Sequence, residues 1–234
     1  MLIFSCNKIV DPTPTPQATA PNTTPTFAGS DAVFAAVSSL TYTSTVVGEY
    51  AVDVDVAVAA LYDGTNAYFP MGTVGVNSNN LDMSDNNTYT SVATTGTPVI
   101  DLGFDDSSNN SWVISGSSNL PAFNFTTSRA MPTNIKFSAE VEKVSIANSF
   151  TISIDQAASN CDSVLYVLAA ENKTVQKTVA SNITSVTFSS AEMVGLSGTG
   201  VAQVVAYNYD ISVQGGKNVY FVNEVVITDF VKFE

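Results

Sequence analysis

Tyr50-Ala51-Val52-Asp53-Val54-Asp55-Val56-Ala57-Val58 decides the fold class. Val52, Val54, Val56 and Val58 point one way; Asp53, Asp55 and Ala57 point the other. That is period two, the pattern of a strand with one buried face and one wet face. It places the valines inward and the aspartates in water. Outward from it, Asp63-Gly64-Thr65-Asn66 reads as a turn and residues 67–76 as the returning strand. Asn77-Ser78-Asn79-Asn80 is another turn, and Trp112-Val113-Ile114 sits between two polar loops, with the only Trp as a core plug.

Strand follows strand to the end of the chain. Alternation resumes over residues 135–146 and continues in 150–154, 162–168, 174–179, 185–188, 201–209 and 218–227. The long C-terminal run to Phe233 is also compatible with a strand donated to a neighbour. One helical hint interrupts the series: Ser190-Ala191-Glu192-Met193-Val194-Gly195, capped by Ser and stopped by Gly. Ala130-Met131-Pro132-Thr133-Asn134 reads as a boundary. The expectation is an all-β chain of two β-sandwich units in tandem, residues 27–133 and 134–234.

Composition agrees. Of 234 residues, 45% are apolar, enough for a sizeable core, and only 12% are charged, about half the usual share of roughly 25%. Solubility therefore rests on Ser, Thr and Asn, which compete with helical backbone bonds and favour strands and turns. The net charge of −13 opposes binding to nucleic acid, which requires clustered cations. The chain has no His, so Ser-His-Asp and Cys-His catalysis and His-ligated metal sites are excluded. No run of 18 apolar residues offers a helical membrane span.

Ile3-Phe4-Ser5-Cys6 resembles the lipobox of bacterial lipoproteins: an aliphatic residue, a spacer, a small residue and the Cys that takes the lipid. Only five residues precede Cys6, too few for a full signal, so residues 1–5 read as a remnant of one. The run Asp11-Pro12-Thr13-Pro14-Thr15-Pro16-Gln17, continuing to Pro25, enforces extended conformations, so residues 6–26 read as a lipidated Cys and a disordered tether. The resemblance implies a protein held by lipid on Cys6 in a Gram-negative envelope, with the outer membrane as the expected location. With Cys6 lipidated, Cys161 is left without a disulfide partner, and no neighbour in sequence activates it.

Val204-Val205-Ala206-Tyr207-Asn208, a loop with Gly215-Gly216, and Val219-Tyr220-Phe221-Val222 resemble the last hairpin of fibronectin type III domains. The match is the Ala-x-Asn of the penultimate strand, here Ala206 and Asn208. It implies an immunoglobulin-like sandwich for the C-terminal unit.

Candidate chemistry is confined to carboxylates and aromatics. Asp53 and Asp55 stand about 7 Å apart along one strand face, near the spacing of glycosidase carboxylates. Asp82 and Asp85 in one loop, and Asp101, Asp105 and Asp106 in another, supply oxygen ligands of the kind calcium takes. A structural calcium ion is the one cofactor these loops leave room for; solvated turns are the alternative. Tyr42, Tyr50, Tyr62, Tyr68, Tyr89, Phe123 and Phe125 are candidates for a sugar-stacking platform, although Phe123 and Phe125 share a face that suits the core. The leading reading is a lipid-anchored, non-enzymatic envelope protein acting in recognition, adhesion or assembly. The alternatives are a glycan-binding module of a polysaccharide-uptake system and a carboxylate-based hydrolase. Neither a protein nor a glycan partner is named by the sequence.

Overall fold

The computed structural model describes residues 29–45, 48–62, 64, 67–91, 101–105 and 108–234. Cys6, the tether and Asp106 lie outside the described residues. The strands are β1 (Ala32–Thr45), β2 (Gly48–Leu61), β3 (Val74–Val76), β4 (Asn79–Asn80), β5 (Asp82–Met83), β6 (Tyr89–Thr90), β7 (Ser111–Ile114), β8 (Phe123–Thr126), β9 (Lys143–Val144), β10 (Phe150–Ser153), β11 (Ser163–Ala170), β12 (Lys173–Ala180), β13 (Ser185–Phe188), β14 (Gly198–Gln214) and β15 (Lys217–Phe233). One short helix, α1 (Ser190–Met193), precedes β14. Its cap is Ser189, outside the expected Ser190–Gly195 stretch. The Ser189 hydroxyl accepts the Glu192 N–H, and the Glu192 carboxylate accepts the Ser189 N–H, a reciprocal capping box.

The chain is all-β. Its largest sheet runs β12-β11-β14-β15-β1-β2-β6-β5, with β9 added beside the end of β15. Two smaller sheets, β4-β3-β7-β8 and β10-β13, lie on one face of it. Over one end, Phe34 of β1 and Phe221 of β15 meet Trp112, Phe123 and Phe125 of the four-stranded sheet. Phe34 and Phe221 stack at 5.2 Å, Phe125 and Phe221 at 4.0 Å, and Trp112 meets Phe34 edge-on at 5.3 Å. Over the other end, Ile152, Val186 and Phe188 share a buried core with Val164, Tyr166 and Leu168. The Tyr166 hydroxyl donates to the Ile183 carbonyl. This face-to-face layering is that of a β-sandwich.

The two units expected on either side of Thr133 share one sheet rather than each closing its own. β1 pairs in parallel with β15, from Ala32 opposite Val219 to Leu40 opposite Ile227. The cause is in β1 itself. Its first half, Ala32-Val33-Phe34-Ala35-Ala36, is apolar on both faces, as suits a central strand, and β2 covers only one of its edges. The small sheets are thus separate upper layers over a common lower one. The long C-terminal run is paired along β14 and β1 within its own sheet.

The segment between the units is clamped by three buried asparagines. Asn110 donates to Asn223 Oδ1, and the Asn223 amide donates to Asn208 Oδ1 and to the Arg129 backbone carbonyl. Asn208 donates to the carbonyls of Ala130 and Asn160. All three are at most 1% exposed. Buried carbonyls must be paired, and these side chains pair them.

The strand that decided the fold class faces the opposite way from expectation. Cross-strand register carries Asp53, Asp55, Ala57, Ala59 and Leu61 toward the smaller sheets, while Val52, Val54 and Val58 remain 43%, 37% and 39% exposed. Ala59 and Leu61 belong to the buried core with Phe34; Asp55 is buried and accepts two backbone N–H groups, while Asp53 stays exposed and accepts the Ser38 hydroxyl. Period two fixes which residues share a face, and burial of the far end of the strand fixes which face goes in.

Removing Asn223 by Asn223→Ala leaves Asn110, Asn208 and the Arg129 carbonyl short of partners. The expected loss is about 3 kcal/mol in urea unfolding. Phe230→Ala, at a side chain 79% exposed, is expected to stay within about 0.5 kcal/mol of the parent.

Candidate functional site

The structure gathers acids that are distant in sequence. Asp53 accepts the Ser38 hydroxyl at 3.0 Å. Asp55 accepts the backbone N–H groups of Leu102 and Phe104, at 2.7 and 3.2 Å, through one oxygen. Its other oxygen is buried and has no partner. Burial raises both carboxyls above their usual range. Asp105 and Asp101 push Asp53 further up, and Asp53 and Asp101 do the same to Asp55, against the hydrogen bonds they accept. The loop that supplied Asp101 and Asp105 as calcium candidates is therefore folded toward the Asp53–Asp55 face. Asp82 and Asp85 lie on β5 and the turn after it, both exposed. Among the described residues, no group of three acids or thiols is arranged to hold a metal ion. Asp55 acts as a strap on the 101–104 loop, a role different from that of a solvent-facing catalytic carboxylate.

Cys161 donates to the Ser163 carbonyl at 2.9 Å, and burial pushes its thiol up to about 11. A thiol so protonated is a poor nucleophile.

The aromatic candidates separate into two groups. Tyr89 is buried, donating to the Gly72 carbonyl and accepting the Met71 N–H. Tyr42 packs on the core and donates to the Ile135 carbonyl. Phe123 and Phe125 pack on the core as their shared face implied. The Tyr50 side chain lies outside the described residues. Tyr62 and Tyr68 remain at the surface, joined by an antiparallel bridge, with ring centroids 5.4 Å apart and Tyr62 38% exposed.

Tyr62 belongs to a larger surface. On the outer face of the large sheet, away from the smaller sheets, cross-strand register lines up side chains in rows. The end row is Val213, Asn218, Asp31 and Tyr62. The next is Ile211, Tyr220, Val33 and Ala60, and the next Tyr209, Val222, Ala35 and Val58. Val213, Ile211 and Tyr209 are 65%, 52% and 36% exposed. Tyr209 and Tyr220 form a second pair, 5.6 Å between centroids. The Asp31 carboxylate accepts the backbone N–H of Asn218 at 2.7 Å, and the Asn218 side-chain amide donates to the Gly29 carbonyl at 3.4 Å. Sequence reasoning found Tyr62 and Tyr68 but missed Tyr209 and Tyr220. The alternation Tyr209-Asp210-Ile211-Ser212-Val213 was readable, yet nothing local said that its apolar side faces outward.

Deeper on the same face lies an isolated acid. Glu224 of β15 stands opposite Tyr207 of β14 and Val37 of β1, between Val222 and Val226 on its own strand. It is 4% exposed, and one of its oxygens has no partner. Burial alone pushes its carboxyl up to about 8, so it is held protonated at neutral pH.

No protein-family model matches the sequence, and no curated protein matches it. Among solved structures, the chain is similar to the fibronectin(III)-like modules of Clostridium thermocellum CbhA, at 14% identity over 76% of this chain and 85% of that one, with a TM-score of 0.26. It is also similar to a DUF3823 family protein from Bacteroides ovatus ATCC 8483, at 11% identity over 83% of this chain and 97% of that one, with a TM-score of 0.27. The fold assignment rests on the strand pairing above and not on these likenesses.

Glu224 gives the fold a measurable pH dependence. Its folded pKa lies above the unfolded value, so its contribution is complete below about pH 4.5 and is lost as pH rises toward about 8. Glu224→Gln is expected to remove that loss and to gain a few kcal/mol at pH 8 relative to the parent. Thermal unfolding of both proteins between pH 5 and 8.5 measures the difference; parallel pH profiles would contradict the assignment.

Proposed function

We propose that this chain is a lipid-anchored, non-enzymatic recognition protein of a Gram-negative cell envelope, held at the outer membrane by a lipid on Cys6. The observation that carries this reading is the order of parts along the chain. A lipobox-like Ile3-Phe4-Ser5-Cys6 comes first, then a Pro/Thr run, then a β-sandwich with an exposed apolar and aromatic sheet face. A lipid on Cys6 fixes the position, and residues 6–26 give reach. At about 3.1 Å per residue, the tether extends some tens of ångströms. The sandwich then presents its outer sheet face to a partner.

The non-enzymatic part of this reading is supported by what the candidate groups are doing. Asp55 holds a loop, Asp53 accepts a serine hydroxyl, the Cys161 thiol is protonated, and Glu224 is sealed from solvent. A second reading, a glycan-binding module serving polysaccharide uptake, is favoured by the two tyrosine pairs near Asp31 and Asn218.

The anchor is tested by expressing the chain behind a complete lipoprotein signal in a Gram-negative host and separating membranes by flotation. The parent is expected with the outer-membrane fraction and Cys6→Ser with the soluble fraction. Equal flotation of the two would refute the anchor.

A further inference from the structure

We infer that the end of the outer sheet face, from Tyr62 and Tyr68 across Asp31 and Asn218 to Tyr220 and Tyr209, binds a short stretch of an uncharged polysaccharide. This deepens the recognition reading above and rests on it.

Ring chemistry comes first. The face of a tyrosine ring carries negative charge density, and the axial C–H groups of a sugar ring are apolar and weakly positive. Sugars therefore stack on such faces and leave their hydroxyls free at the edge. The surface offers two tyrosine pairs, with centroids 5.4 and 5.6 Å apart within each pair. Tyr62 and Tyr209 are 38% and 36% exposed.

Spacing is the second point. Tyr220 is on β15 and Tyr62 directly follows β2, two strands away and one row along. Strands lie about 4.8 Å apart, so the two pairs are separated by about 10 Å or a little more. One sugar ring cannot touch both, whereas a short oligosaccharide can.

Polar groups are the third point. Asp31 and Asn218 stand in the same end row as Tyr62, and Asn218 precedes Tyr220 by two residues on β15, so a glycan reaching from Tyr62 to Tyr220 would pass over them. The Asp31 carboxylate is already fixed by the Asn218 N–H at 2.7 Å, so it is ordered before a ligand arrives. A lipid would seal the Asp31 carboxylate away from water, at a cost. The formal charge of −13, with Asp31 in the strip, disfavours an anionic polymer. An uncharged glycan fits the rings, the spacing and the charge together.

The test is affinity electrophoresis and calorimetry of the full chain against soluble starch, laminarin, mannan and xyloglucan, with alginate as the anionic control. At least one neutral glycan is expected to bind, and alginate is not. Tyr62→Ala and Tyr209→Ala are each expected to weaken binding about tenfold while leaving the unfolding midpoint in place. Asp31→Asn serves as a second variant that keeps the shape of the strip. Failure of every neutral glycan, or binding indifferent to both tyrosine changes, overturns the inference. So does sedimentation showing a dimer that Val213→Glu dissolves, because the occupant is then a second copy of the chain. Membrane flotation of the same preparations reports on Cys6 independently, so loss of the glycan site leaves the anchor reading standing.

Discussion

The parallel contact between the first and last long strands sets the rest of this structure in place. Antiparallel neighbours can be joined by a turn, but a parallel pair must be joined by a crossover. Here the crossover is nearly the whole chain, and it carries both smaller sheets. The register of β1 on β15 puts Phe34 against Phe221, and that stack is the floor on which Trp112, Phe123 and Phe125 rest. The same register assembles the outer rows in which Asp31, Val33 and Ala35 stand between β15 and β2 side chains. Core and candidate surface are the two faces of one pairing.

A second constraint works at the middle of the molecule. The chain between the halves must cross the sheet, and its carbonyls are hidden from water there. Asn110, Asn208 and Asn223 satisfy them from a loop and two strands. Partly satisfied networks of this kind are costly, while complete ones fix a single arrangement. Asn208 was visible in the sequence through its Ala206-x-Asn208 spacing. Its partners, the carbonyls of Ala130 and Asn160, are set by tertiary contact and leave no local mark.

The class of fold was legible because period two is a local property of the backbone. The orientation of each strand was less so. In β2 the valines looked like the buried side, yet Ala57, Ala59 and Leu61 carry the aspartate face inward, and the Ser38 hydroxyl and the 102 and 104 amides make that tolerable. Those donors come from elsewhere in the chain. The stretch 130–134 does fall between the two small sheets, but long-range pairing across the large sheet has no sequence period of its own. The surface tyrosines followed the same rule. Tyr62 and Tyr68 are joined by a local bridge and were found together, whereas their association with Tyr209 and Tyr220 depends on β15 and β1 lying between them.

The β14–β15 hairpin has a further consequence, in time rather than in space. Its two-residue tip, Gly215 and Gly216, has φ of 58° and 81°, conformations that glycine adopts readily and that suit the twist of a tight hairpin. Like β1 and β2, which pair from Thr45 opposite Gly48 outward, these two strands meet locally, whereas β1 and β15 do not. Asp31, by contrast, waits for Asn218, 187 residues later in the chain. The nascent chain therefore carries β1 and β2, rich in valine and alanine, with one edge of β1 unpaired until β15 has been made. Strands in that condition are prone to associate with other chains. The strand order therefore leaves that edge of β1 open throughout the synthesis of everything between β1 and β15.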